Sequence, residues 1–220
     1  MPIGVLLIHG IAGSRREVAP LHEHLAQCGY IVSSPVLAGH EGTPKDLADS
    51  THAEWIGSAQ VAADELLQRC DALVVVGFSM GGLIAVNLCQ TTDVHKLILI
   101  NTPVYYWDKR NILRNLAADF PKYIRKYLKA GKRMPVPALL EFRKILRKTK
   151  PLFSGVRCPV LIIQTLDDDT VQPRSADFIY SNVEGEKTLK RYETGGHLAL
   201  YSPNAPDICY TIENMINESG

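Results

Sequence analysis

Ala72-Leu73-Val74-Val75-Val76-Gly77-Phe78-Ser79-Met80-Gly81-Gly82 is the stretch whose reading decides the fold of this 220-residue chain. The apolar run up to Val76 is too continuous for a strand with one wet face, so it reads as a buried strand of a parallel sheet. Gly82-Leu83-Ile84-Ala85-Val86-Asn87-Leu88 then opens an apolar helix. One serine stands at the turn between them, inside the pattern G-x-S-x-G. The pattern alone is weak, because a chain of this length contains it by chance roughly one time in fifteen. Its setting of strand, turn and helix supplies the meaning. Such a turn holds the serine in a strained backbone conformation, and side chains at 77 and 81 would strike the adjoining strand and helix. Glycines there remove the clash, and the strain lifts the Ser79 hydroxyl to the sheet edge, where a base can reach it. The plain alternative is a glycine-rich turn in which Ser79 caps the helix.

Working outward, short β-branched apolar runs recur at Gly4–Ile8, Tyr30–Val36, Leu73–Val76, Lys96–Ile100, Val160–Gln164 and Thr188–Tyr192. Helix-length stretches separate them at 15–28, 51–69, 80–91, 173–183 and 204–217, the second opening on Ser50-Thr51 with Glu54 placed to close a capping box. Strand and helix alternate, which predicts an α/β doubly wound fold: a mostly parallel sheet of about six strands with helices on both faces. In such sheets ligands bind outside the carboxyl ends of the strands.

The composition, 46% hydrophobic and 21% charged, is that of an ordinary globular chain. Five cysteines, widely spaced and without a C-x-x-C pair, indicate neither a disulfide framework nor a zinc site and read as buried thiols. The run Ile3–Ile8 follows no basic segment and is too short for a signal peptide or a membrane span, so a cytoplasmic location is expected. Net charge is only +1, yet residues 103–157 hold 15 basic against 3 acidic residues, a net +12, while the remaining 9 basic and 20 acidic residues give −11. Within 103–152 the alternation breaks into amphipathic pieces, Trp107–Ala118, Lys122–Lys129 and Ala138–Lys148. This predicts a core of residues 1–102 and 153–220 with an inserted basic helical cap at 103–152, its apolar stripe facing the site below.

A serine hydroxyl is a poor nucleophile until a base takes its proton and a carboxylate orients that base. Two later strand ends carry suitable groups: Asp167-Asp168-Asp169 after the run ending at Gln164, and Thr194-Gly195-Gly196-His197 after the run ending near Tyr192. Of the seven histidines, His22, His24, His52 and His95 fall in helices or surface turns and read as solvated, whereas His197 sits behind two glycines at a strand end. The pattern leaves Asp167, Asp168 and Asp169 as candidate acids.

The chain order Ser, Asp, His and the strand-end placement resemble the α/β-hydrolase family, and the likeness extends across nearly the whole chain. His9-Gly10-Ile11-Ala12-Gly13 resembles the family's H-G oxyanion segment, and Gly39-His40-Glu41-Gly42 its G-H-x-G loop. The chain is most similar to small bacterial carboxylesterases related to monoacylglycerol lipases, whose acid segment D-x-x-[IV]-x-P is matched by Asp168-Asp169-Thr170-Val171-Gln172-Pro173. The resemblance implies Ser79 as nucleophile, Asp168 as acid and His197 as base, with the backbone N–H groups of Ile11 and Met80 as the oxyanion hole. It implies structural parts for His9 and His40. Ile11 stands where an aromatic residue is frequent in those relatives.

The implied function is a serine carboxylesterase acting on uncharged esters of short to medium acyl chains, monoacylglycerols among them. A thioesterase or amidase with the same triad, and a non-catalytic ligand-binding protein on this fold, are the alternatives. Tyr105 and Trp107, at the entrance to the cap, are candidate substrate-binding residues, against a plainer part in cap packing. No cofactor is implied, and no metal site, since H-x-x-x-H spacing and a complete calcium loop are both missing. The expected partner is a small-molecule ester, with no nucleic acid, weak contact of the basic cap with an anionic membrane surface, and a monomer or homodimer as the assembly.

Overall fold

A computed structural model describes residues 2–106 and 134–218. Six strands, β1 (Ile3–Ile8), β2 (Ile31–Ser33), β3 (Ala72–Phe78), β4 (Lys96–Ile100), β5 (Val160–Thr165) and β6 (Lys187–Tyr192), pair in the order β2-β1-β3-β4-β5-β6. Every pairing is parallel. The described helices are α1 (Ala19–Gln27), α2 (Pro44–Asp49), α3 (His52–Leu67), α4 (Met80–Leu88), α5 (Val136–Thr149), α6 (Arg174–Asn182) and α7 (Ala205–Asn217). The expected strands are all present, β2 being shorter than Tyr30–Val36. The stretch 15–28 divides into a 3-10 turn, Arg15–Val18, and α1, because Pro20 lacks the N–H that a continuous helix would need there. Thr51 does cap α3 in a reciprocal box with Glu54. The sequence reading overlooked α2, although Thr43 and Asp46 form the same box in front of it. The expected helices Trp107–Ala118 and Lys122–Lys129 lie outside the described residues.

The near-continuous apolar strands follow from two cores, one on each face of the sheet. Val5, Leu7, Val74, Val76, Ile98, Ile100, Leu161 and Ile163 pack against α1 and α7. Leu6, Ile8, Leu73, Val75, Leu97, Leu99, Val160 and Ile162 pack with side chains of α3, α4, α5 and α6. Lys96, the polar start of β4, is 2% exposed and donates its ammonium hydrogens to the carbonyls of Met215 (2.7 Å), Ile216 (3.4 Å) and Glu218 (2.5 Å). It therefore caps the C-terminal end of α7, where a cation also opposes the negative pole of the helix. No helix among the described residues is long and apolar enough to cross a membrane.

Helix α5 differs from expectation in what its apolar stripe faces. Ala138, Phe142 and Ile145 join the same core as Leu83 and Ile84 of α4, so the stripe is packed against core helices. Thr149 accepts a 2.7 Å hydrogen bond from the Asn87 side-chain amide, and Glu141 lies 2.5 Å from His52 Nδ1 at the start of α3. Burial of three apolar side chains at helical spacing outweighs holding them over an open cleft. Arg143, Lys144, Arg147 and Lys148 occupy the exposed face. All five cysteines are free; Cys28 is exposed, contrary to the expectation of buried thiols.

Candidate active site

Where β3 meets α4, Ser79 has φ 53° and ψ −124°, a region that costs a non-glycine residue on the order of 1–3 kcal/mol. The turn is over-determined by its neighbours. The Ser79 amide donates to the Ile100 carbonyl at 2.8 Å. A Cβ on Gly77 would stand 2.4 Å from the Gly81 carbonyl oxygen, and one on Gly81 only 2.1 Å from the Ile8 carbonyl oxygen. Backbone cannot yield to such contacts, so both positions demand glycine. The elbow lies between β1 and β3, where the chain turns from one half of the sheet to the other, the position at which open α/β sheets form their crevice.

The loops after β5 and β6 bring an acid and a base to that serine. His197 Nε2 lies 3.0 Å from Ser79 Oγ, and His197 Nδ1 lies 2.8 Å from Asp168 Oδ2. Asp168 Oδ1 accepts from the amides of Thr170 (2.8 Å) and Val171 (3.0 Å), which leaves Oδ2 for the imidazole. The neighbouring Asp167 carboxylate instead accepts from the amides of Gly195 (3.2 Å) and Gly196 (2.7 Å), holding the loop that presents His197. Both glycines have positive φ, 146° and 59°.

Asn101, at the end of β4, braces the same loop from beneath. Fully buried, it donates to the carbonyls of His197 (2.9 Å) and Gly196 (3.2 Å) and accepts from the Thr165 amide (2.9 Å). Burial is the largest single influence on His197 and disfavours its protonation. The charge and hydrogen bond of Asp168, with the charges of Glu17 and Asp169, outweigh burial, so the imidazole pKa stands above its ordinary 6.5.

On the opposite side, the loop after β1 abuts Ser79. A Cβ on Gly10 would lie 3.2 Å from both Ser79 Cβ and Glu17 Oε2. His9 is fully buried; its Nδ1–H donates to the Gly10 carbonyl (2.9 Å) and its Nε2 accepts from the Leu37 amide (3.4 Å). Burial pushes its pKa down to about 4, so the ring is neutral and ties the β1 loop to the segment after β2. The His40 ring packs edge-on against His9 at 5.0 Å and is likewise lowered by burial. Glu17 accepts from the Gly10 amide at 2.9 Å, and burial raises its carboxyl pKa above the ordinary range. Among the described residues the Ile11 amide has no protein acceptor. Met80 is the first residue of α4, so no turn of its own helix can accept its N–H.

The structure thus assembles Ser79, Asp168 and His197 and sets the loops of Ile11 and Met80 beside them. The Tyr105 ring packs on Phe178 (centroids 6.0 Å apart), with Arg174 Cζ 4.3 Å and Lys150 Nζ 4.9 Å from its centroid. Trp107 lies outside the described residues. Glu17, Asn101 and the bracing part of Asp167 were missed by sequence reading. Only Asn101 carried a signal, a lone amide at the end of an apolar strand.

Such an arrangement of Ser79, His197 and Asp168 can deprotonate a hydroxyl. The model of the alpha/beta hydrolase family matches residues 5–206. A thermostable monoacylglycerol lipase of Bacillus sp. (strain H-257) is 30% identical over 221 residues, covering 94% of this chain and 87% of that protein. A carboxylesterase of Bacillus subtilis (strain 168) is 24% identical over 206 residues, covering 88% and 84%. A structure from work on LipS and LipT, two metagenome-derived lipolytic enzymes, superposes with a TM-score of 0.84 at 28% identity, over 99% of this chain and 94% of that one.

Proposed function

Because the chain belongs to the α/β-hydrolase family, matching it over residues 5–206, we propose that it is a serine carboxylesterase working through an acyl-enzyme on Ser79. That it hydrolyses esters follows from its kinship with the monoacylglycerol lipase and carboxylesterase and with the lipolytic structure. The observation that carries the finer reading is the unbroken line Ser79 Oγ, His197, Asp168, with contacts of 3.0 and 2.8 Å.

His197 Nε2 takes the Ser79 proton as Oγ attacks the ester carbonyl carbon, and the carbonyl oxygen gains the negative charge between the Ile11 and Met80 amides. Collapse breaks the bond to the alkoxy oxygen, which leaves as the alcohol with the proton from His197. Water then gives a proton to His197 and attacks the acyl carbon; collapse breaks the bond to Ser79 Oγ, which takes that proton back from His197 as the carboxylic acid leaves. Asp168 holds Nδ1 protonated and stabilises the imidazolium in both steps. The insertion 103–152 would cap this site, with α5 as the part of it that rests on the core helices and Tyr105 and Trp107 at the mouth. Uncharged esters of short to medium acyl chains, including monoacylglycerols, are the substrates this reading selects.

The test is turnover of a p-nitrophenyl ester series from acetate to palmitate and of a monoacylglycerol series, with matched thioesters and amides, by the protein and by Ser79→Ala. Ester turnover and a single fluorophosphonate adduct, both lost in Ser79→Ala, are expected. Full activity in that variant would overturn the mechanism, and faster thioester or amide turnover would replace the substrate class. The exposed basic face of α5 adds a second expectation, salt-sensitive sedimentation with anionic but not neutral vesicles. Equal sedimentation with both would leave that charge as a solvated surface.

A further inference from the structure

On the sheet face opposite α5, α1 and α7 bring together three side chains that the ester chemistry does not use. His24 Nε2 and Glu213 Oε2 are 2.8 Å apart, Cys28 Sγ lies 4.0 Å from His24 Nε2, and all three atoms fall within 4.8 Å of one another. We infer that His24, Cys28 and Glu213 form a binding site for a divalent cation of the zinc class that clamps α1 to α7.

The geometry is close to what the ion requires. Zinc bonds of about 2.0 Å to nitrogen and oxygen and about 2.3 Å to sulfur, in a tetrahedron, place ligand atoms about 3.3–3.7 Å from one another. The carboxylate need retreat from His24 by about half an ångström, and the thiol advance by about half an ångström toward His24 and by up to about an ångström toward Glu213, within the reach of rotamer adjustment. His24 and Cys28 are four residues apart at the end of one helix, hence on the same face. The third ligand comes from α7, 189 residues away from His24. A search of the sequence for H-x-x-x-H spacing could not find this set, and His24 read alone is only a solvated imidazole.

The donor types select the ion. One nitrogen, one sulfur and one carboxylate oxygen suit zinc, cobalt or copper, whereas calcium and magnesium want more oxygen ligands than a single glutamate supplies. Thiolate and carboxylate together neutralise a 2+ charge. Three protein ligands leave the fourth tetrahedral position to water. Cys28 is the exposed member of the five free cysteines, so the ion has an entry path. Binding exchanges the Cys28 S–H bond for a sulfur–metal bond, so each ion bound releases the thiol proton.

The experiment adds zinc chloride to the reduced protein while alkylation of Cys28 by iodoacetamide is followed by peptide mass mapping, with calorimetry in two buffers to count protons. The expected result is saturation at one ion per chain with about one proton released, and alkylation of Cys28 slowed by about tenfold or more. Cobalt should add a sulfur-to-metal charge-transfer band. Cys28→Ser and Glu213→Gln should each weaken binding by about tenfold or more and leave ester turnover unchanged. A Cys28 alkylation rate indifferent to zinc up to about 100 μM, or variants that bind with the parent's affinity, would overturn the site; the latter result means surface binding elsewhere.

Discussion

Asp168→Asn tests the proposed catalytic line at its most constrained point. In the parent, Oδ1 accepts two backbone amides at 2.8 and 3.0 Å and Oδ2 faces His197 Nδ1 at 2.8 Å. Asparagine has one acceptor oxygen, and the two fixed amides claim it, because turning the NH₂ toward them would set donor against donor. The NH₂ must then face His197 Nδ1, which can only accept. The imidazole is driven to the tautomer with its proton on Nε2, where it donates toward Ser79 Oγ and can no longer take the serine proton. Loss of the correct tautomer and of the charge that stabilises the imidazolium lowers kcat by roughly 10⁴, about 5 kcal/mol in the barrier, with KM little changed. Hydrolysis of p-nitrophenyl butyrate, with Ser79→Ala as the floor and thermal unfolding as the control for folding, measures this. Asp167→Asn, which weakens only the brace on Gly195 and Gly196, should cost far less, about tenfold. If Asp168→Asn kept a tenth of the parent activity while Asp167→Asn or Asp169→Asn was inactive, the assignment of the acid would be wrong.

Four further outcomes are expected. His197 must be neutral to act as base and its pKa is raised, so kcat/KM falls as pH drops through a value above 6.5. Glu17→Gln keeps an acceptor for the Gly10 amide but removes one charge that favours the imidazolium, so the acid limb of the profile should move to lower pH; a limb that stayed in place or rose would refute the electrostatic part of Glu17. His9 has its folded pKa depressed from 6.5 to about 4, so its contribution to stability is complete above pH 6.5 and is lost as pH falls toward 4. The loss amounts to about 3 kcal/mol, and urea unfolding of His9→Gln should show a flatter slope of stability against pH in that window, an unchanged slope counting against it. Lys96→Met strips the buried cap from the carbonyls at the end of α7, and a loss of about 2 kcal/mol, roughly 4–8 °C in Tm, is expected by calorimetry; a Tm equal to the parent's would mean water replaces the ammonium.

The local signals in the chain were strong enough to carry most of the fold. Parallel strands buried on both faces must be apolar at consecutive positions, and helices between them must carry one apolar stripe, so strand and helix were legible at each step. Gly77 and Gly81 announced the elbow because each is required by a backbone contact a few residues away in sequence or on the adjacent strand. The short α2 passed unnoticed only because a single turn and a half shows no periodicity, although its capping box was written in Thr43 and Asp46.

What one position meant for another far along the chain was not legible. The sequence alone left three aspartates open until a family pattern favoured one; folding gives Asp168 to the imidazole and Asp167 to the loop amides, a division set by which carboxylate faces which backbone N–H. Asn101, Glu17 and Lys96 acquire their parts from neighbours elsewhere in the chain, as does the trio His24, Cys28 and Glu213. The α5 stripe, read as the underside of a cap, packs against α4 because a core already existed there to receive it. By itself the sequence determined the elements, their order and the serine turn, since propensity, periodicity and glycine sterics act within a few residues. Only the tertiary structure decided the partners, because hydrogen bonds, charge and burial depend on distances that chain order does not encode.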